Sequence, residues 1–216
     1  MSYFERAKKL FDEAREVRRQ IHQNPEVGFE LPETMELIKE KLEKYDIAYS
    51  RLGDTYALVG TLGDPGKGKT LLLRADMDAI PMAEGSDLEF ASKKECSHLC
   101  GHDLHAVSLL VALIMLKEDE DKLRGQIKFL FQPAEETLNG GKLMLEKGVL
   151  ENPKPDAGMA LHMWPNGEKP GILIQKEEAL ASALNFKIEI RGKEAHGALP
   201  YNGIDPVFVA SQIING

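Results

Sequence analysis

QIKFLFQPAEE, residues 126–136, carries Ile127, Phe129, Leu130 and Phe131 in an apolar run that polar residues do not interrupt regularly. Such a run predicts a strand buried on both faces, and two carboxylates follow directly at its end. KTLLLRAD (69–76) and DAGMALHMW (156–164) read as two further apolar strands, and TYALVGTLG (55–63) is strand-like. HDLHAVSLLVALIMLK (102–117) is apolar nearly all the way round, which predicts a buried helix. Strands of this kind alternating with helices imply an α/β domain with a mostly parallel sheet covered on both faces.

The flanking segments fit that plan. Tyr3, Ala7, Leu10, Ala14, Val17 and Ile21 recur at spacings of 4 and 3, one apolar stripe of a helix over 2–23 that stops near Pro25 and Gly28. A second helix begins about Pro32 and buries Met35, Ile38, Leu42 and Tyr45. GGKLMLEKGVL (140–150) reads as a short helix, and KEDEDKLR (117–124) as a solvated helix end and loop. DPGKGK (64–69) lacks the spacing of a phosphate loop and precedes a strand, so it is expected to be a hairpin turn. From about residue 181 the texture changes. In LNFKIEIR (184–191) apolar and polar residues alternate strictly, which predicts a strand with one wet face. We therefore expect a catalytic domain over 1–181 and, over 182–216, the beginning of a second, α+β domain: one strand, the loop GKEAHGALPYNGID and a helix from Pro206. One strand and one helix do not bury a core, so the chain reads as truncated.

Composition excludes several classes. A net charge of -8 argues against a nucleic-acid partner. No apolar run reaches the roughly 18 residues of a membrane helix, and MSYFERAKK places charges where a secretory signal is apolar. A cytoplasmic location is the default expectation.

The polar residues then fall into a pattern. Asp76 and Asp78 follow one strand, Glu135 and Glu136 a second, and His162 a third, while Cys100 and His102 precede the buried helix. Ligands bind open α/β sheets at the carboxyl ends of their strands. Thiolate, imidazole and carboxylate are ligands for zinc and its neighbours, and several carboxylates suit two ions. The adjacent Glu135 and Glu136 divide into one ligand and one free base, because neighbouring side chains of an extended segment point apart. His105 is read as packing or supporting at the helix start, His98 as structural, and His22 as a cap or packing residue. Two other readings stay open: a structural zinc clip of Cys96, His98, Cys100 and His102 without enzyme activity, and a non-catalytic fragment serving binding or oligomerisation. A Cys96–Cys100 disulfide is unattractive in a reducing compartment.

RRQIHQNPEVGFE, LLLRADMDAIPM, HLCGHDLHAVSLL, FLFQPAEETLNGG, LHMWPNGEKPG and EAHGALPYNGIDPV occur in that order over residues 15–216. Together they resemble the metal-dependent amidohydrolases that cleave N-acyl amino acids: hippurate hydrolases, aminoacylases, N-acetyldiaminopimelate deacetylase and auxin-conjugate hydrolases. The resemblance implies a zinc-peptidase-like three-layer α/β/α catalytic domain with a lid and dimerisation domain. It implies two divalent metal ions (zinc or manganese, with cobalt or nickel as further candidates), with Cys100, His102, Glu136 and His162 as ligands. Glu135 matches the general base, Asp76 a catalytic acidic position, and His196 a lid histidine that helps polarise the scissile carbonyl. It further implies a small N-acyl amino acid substrate and a homodimer formed through the lid. A further ligand histidine and the contacts to the substrate carboxylate come, in that family, from sequence beyond the lid. Leu99 and Ser97 stand where the family has a small residue and commonly Met.

Overall fold

The computed structural model describes residues 1–164, 171–174, 176, 184 and 186–216. Two compact units are separated between Asn166 and Gly167. The first is built on a five-stranded sheet, β1 (Ser50–Arg51), β2 (Leu58–Gly63), β3 (Thr70–Asp76), β4 (Gln126–Gln132) and β5 (Ala157–Ala160), in the order β1-β2-β4-β3-β5. Helices α1 (Tyr3–Gln23), α2 (Pro32–Lys44), α3 (His102–Glu118) and α4 (Gly140–Glu146) complete it.

β4 shows why the unit has three layers. Phe129 and Phe131 point into a core shared with Val17 and Ile21 of α1, Ile38 and Leu42 of α2, and Leu109, Leu110 and Leu113 of α3. Leu130, between them, points to the other face and packs with Ala57, Met144 of α4 and Val149. Alternation along one strand thus feeds two cores, and the uninterrupted apolar run is the sequence consequence. Lys128, on the α4 side, is buried and donates from Nζ to the carbonyls of Glu151 and Pro153. Gly60 of β2 lies against that core, where an added Cβ would meet Ala48 O and the Phe129 ring at 2.4 Å. Only hydrogen fits there.

Helix α1 starts with a capping box, Ser2 and Glu5 each receiving the other's backbone N–H. Along its length it runs beside α3. Near its start the Arg6 guanidinium donates to Met115 O (2.7 Å) and Asp119 Oδ2 (2.6 Å), and pairs with Glu118, at the far end of α3.

The expected α/β fold is present, and two finer expectations are corrected. The sheet is mixed: β3 pairs in parallel with β4 and β5, and β2 pairs antiparallel with β4 and with β1. DPGKGK is therefore no hairpin turn, because β4 lies between β2 and β3; Pro65–Lys67 form a single 3-10 turn of a longer crossing. Apolar runs report burial on both faces and carry no direction, so periodicity alone could not reveal the antiparallel edge. Lastly, LNFKIEIR forms no strand at its described residues, which leave out Asn185. A strand needs a ladder partner, and among the described residues nearby the one pairing is the isolated bridge Lys193–Ile204. The domain boundary expected at 181/182 falls outside the described residues.

The second unit, described by itself, contains a 3-10 turn at Pro200–Asn202 and helix α5 (Pro206–Asn215), capped by Asp205 Oδ1, which accepts from Val207 N–H at 2.9 Å. Phe186, Val207 and Phe208 are exposed.

Removing the Phe129 ring empties the centre of the larger core. Phe129→Ala should lower unfolding free energy by about 3–5 kcal/mol, whereas Phe11→Ala, on the exposed side of α1, should change it by less than about 0.5 kcal/mol in urea titrations.

Candidate metal centre

The parallel register of β3 and β4 pairs Asp76 with Gln132, so the two strands finish level. The chain beyond each end supplies the site: Asp78 after β3, and Glu135 and Glu136 after β4. Asp78 locks them together. Its Oδ1 accepts the backbone N–H of Glu135 (2.9 Å) and its Oδ2 that of Glu136 (3.1 Å). Its backbone carbonyl accepts Nδ1–H of His102 at 2.8 Å.

That last bond sets the His102 tautomer. With its proton on Nδ1, His102 presents the Nε2 lone pair, and this atom is buried without a partner. Glu136 Oε1 is likewise buried without a partner, 3.6 Å from His102 Nε2. The same logic governs His162, which lies just past β5. Its Nδ1–H donates to the Met163 carbonyl at 2.7 Å, leaving Nε2 toward Cys100 Sγ at 3.3 Å. Cys100 itself precedes α3, whose first turn follows Gly101 at φ 83°, a left-handed conformation that glycine adopts without strain.

Unpartnered buried nitrogen and oxygen lone pairs facing one another cost free energy unless something satisfies both. A cation does so. Three sets of side chains each bring ligand atoms within 4.8 Å of one another: Cys100, His102 and His162; His102, Glu135 and Glu136; and Asp76, His102 and His105. The electrostatics agree. Burial, followed by the Glu136 carboxylate, pushes the Cys100 thiol up to about 12, and burial also raises Glu136. A site too anionic for its own thiolate is one that a divalent cation relieves, since a coordinated thiol is deprotonated outright. Mixed sulfur, nitrogen and oxygen donors suit zinc and its first-row neighbours. The donor set fits.

Asp76, His105 and Asp103 stand behind these atoms. Asp76 Oδ1 accepts from His105 Nδ1–H at 2.6 Å and its Oδ2 from Arg74 at 2.6 Å. Burial works to raise the Asp76 carboxyl, but these partners outweigh it and hold it at about 2. Asp103 lies between Arg18 Nε (2.6 Å) and His22 Nδ1 (2.8 Å), and His22 Nε2 reaches Glu84. Of the two readings of His22, cap or packing residue, the buried position fits the second, and its ring bridges α1 and α3. The Asp103 bond, ahead of all other causes, raises its pKa.

Of the residues singled out in the sequence, Asp76, Cys100, His102, Glu135, Glu136 and His162 come together in the first unit. His196 belongs to the second unit, where its Nδ1 accepts from Ala198 N–H at 3.2 Å. Cys96 and His98 join no ligand group among the described residues. Cys96 Sγ donates to Pro25 O, and His98 is buried, with burial pushing its imidazole down to about 4. Both cysteines are free. Asp78, marked in the sequence only as one of the acids after a strand, joins three segments.

The sequence pattern of peptidase family M20/M25/M40 matches residues 72–211. Thermostable carboxypeptidase 2 of Saccharolobus solfataricus is 39% identical over 212 residues, 96% of this chain and 53% of that protein. N-acetyl-L-cysteine deacetylase of Bacillus subtilis is 40% identical over 199 residues, 92% of this chain and 47% of that one. The chain thus spans about half the length of these relatives. Among solved structures, the Bacillus subtilis YXEP protein, a dinuclear metal binding peptidase from the M20 family, superposes with a TM-score of 0.69 at 33% identity, covering 74% of this chain and 45% of that one. With the strand-end carboxylates, the paired histidines and a pattern match across most of the chain in agreement, the chain belongs to peptidase family M20/M25/M40.

Proposed function

We propose that this chain carries the metal centre of an amidohydrolase that cleaves the amide bond of N-acyl amino acids. The observation that carries the reading is the convergence of unpartnered His102 Nε2 and Glu136 Oε1 beside Cys100 and His162, with a second carboxylate, Glu135, adjoining them. The similarity to an N-acetyl-L-cysteine deacetylase supports the substrate class.

Cys100, His102, Glu136 and His162 are the ligands in this reading, for two divalent ions of the zinc or manganese type. When bound, such ions polarise an amide carbonyl and lower the pKa of water. The chain's own groups do the rest. Glu135 and Glu136 divide the work by exposure: the Glu136 side chain is the more enclosed, whereas that of Glu135 is 38% exposed with Oε2 3.8 Å from His102 Nε2. Glu135 is therefore the group able to take a proton from water at its carboxylate and return it to the departing nitrogen. Asp78 holds the backbone of both glutamates, so the base and the ligand keep their spacing as the proton moves. His196 is assigned to polarising the acyl carbonyl. A homodimer through the second unit, carried from the family resemblance, and a cytoplasmic location belong to the proposal.

Two measurements on the full-length protein check this. Glu135→Gln should lower kcat for an N-acetyl amino acid by at least about 10²–10⁴-fold, with metal content by plasma mass spectrometry unchanged. Retention of most of the rate removes Glu135 from the role of base. In the same metal assay, Glu136→Gln and Cys100→Ser should lose metal while Cys96→Ser keeps it; loss on Cys96→Ser with retention on Glu136→Gln would restore the zinc clip.

A further inference from the structure

His105 stands in one of the three potential ligand groups, together with Asp76 and His102. Its hydrogen bonds exclude it from that use. The backbone N–H of Met163 donates to His105 Nε2 at 2.8 Å, so this nitrogen bears the lone pair and the ring proton is on Nδ1, where it donates to Asp76. Both ring nitrogens are committed, and the residue is fully buried.

What the bonds join is more informative. Asp76 ends β3, His105 sits one turn into α3, and Met163 follows β5, so one imidazole spans three elements. Met163 is held at its other polar atom too, since its carbonyl accepts Nδ1–H of His162. The side chain of Met163 rests on Gly101, where an added Cβ would stand 3.2 Å from Met163 Cβ and Cγ. The rings of His105 and His162 lie 4.6 Å apart, edge to face. A single residue, Met163, is thus gripped at N–H, C=O and side chain, and the second of those grips sets which nitrogen of His162 faces Cys100.

We propose that His105, anchored by Asp76, is a positioning residue for His162: it fixes Met163 through its backbone N–H, and the carbonyl of that residue fixes the His162 ring with Nε2 toward Cys100. Asp76 acts through His105 in this arrangement and touches no reacting atom. The inference rests on the metal-centre reading of Cys100, His102, Glu136 and His162. Outer hydrogen bonds of this kind orient ligands, and their loss typically weakens metal binding by about 10–100-fold.

Cobalt(II) affinity of the full-length protein, measured by chelator competition, tests it, with thiolate-to-cobalt absorption reporting on Cys100. His105→Asn keeps a donor for Asp76 but is too short to reach Met163, and should weaken cobalt binding about 10–100-fold. His105→Gln, with one donor and one acceptor at greater reach, should recover binding to within about threefold of wild type. Adding Asp76→Ala to His105→Asn should weaken binding no further, because two residues acting in series do not add. Metal-free melting temperatures should agree within about 4 °C across the set. Equal affinities for His105→Asn and His105→Gln overturn the proposal, as does an added loss from Asp76→Ala, or a weakening that merely follows collapse of the metal-free fold. Glu136→Gln separates the two levels. If it loses cobalt while His105→Asn does not, the positioning role is wrong and the metal centre stands. If Glu136→Gln also binds as wild type, the metal-centre reading falls and the positioning role with it.

Discussion

Asp78 is the residue on which the site's geometry turns. One carboxylate accepts two successive backbone N–H groups, those of Glu135 and Glu136, while the carbonyl of the same residue accepts a proton from His102. Charge-assisted bonds to backbone donors are among the stronger hydrogen bonds a protein makes. Here the accepting Asp78 is also buried, where losing a partner would leave a charged group unsatisfied. They join the ends of two parallel strands to the start of the central helix. The strands bring the segments near one another; Asp78 turns nearness into a fixed spacing of side chains.

The site also depends on withholding partners. Each of its histidines donates Nδ1–H to oxygen: His102 to Asp78, His105 to Asp76, His162 to Met163. The repeated choice of tautomer decides which nitrogens remain available, and two of the three leave Nε2 directed into the centre. His105 differs because Met163 N–H occupies its remaining nitrogen. Three chemically identical side chains within one cluster thereby differ in which nitrogen stays open, through backbone groups and the Asp76 carboxylate.

Much of this was legible in the sequence, and the limits have physical causes. The helices over 3–23, 32–44 and 102–118 follow from stripe spacing, Pro at a first turn and all-round apolarity, because side-chain burial writes itself into periodicity. The gathering of Asp76, Cys100, His102, Glu135, Glu136 and His162 was legible because each falls at the end of a strand or the start of a helix. Strand direction was not legible: β2 looks the same in either orientation, and its pairing with β4 is a long-range choice. Nor were the partners of His22 and Asp103, which lie 81 residues apart in sequence and meet only because α1 packs along α3. Roles that depend on backbone carbonyls and amides, such as those of Asp78 and Met163, leave no mark in residue types.

Helix α1 touches both ends of α3. Arg6 holds the far end through Met115, Glu118 and Asp119, and Arg18 and His22 hold the near end through Asp103, next to His102. The interval between Arg6 and Arg18 therefore works as a ruler. Each residue of a helix adds about 1.5 Å and about 100° of rotation. One residue gained or lost within that interval would leave Arg6 and Asp103 unable to be served at once, whatever the residue's identity. A segment with no side chain in the metal centre is thus constrained in length more tightly than in composition, and its register sets how far α3 projects His102 toward the ends of the strands.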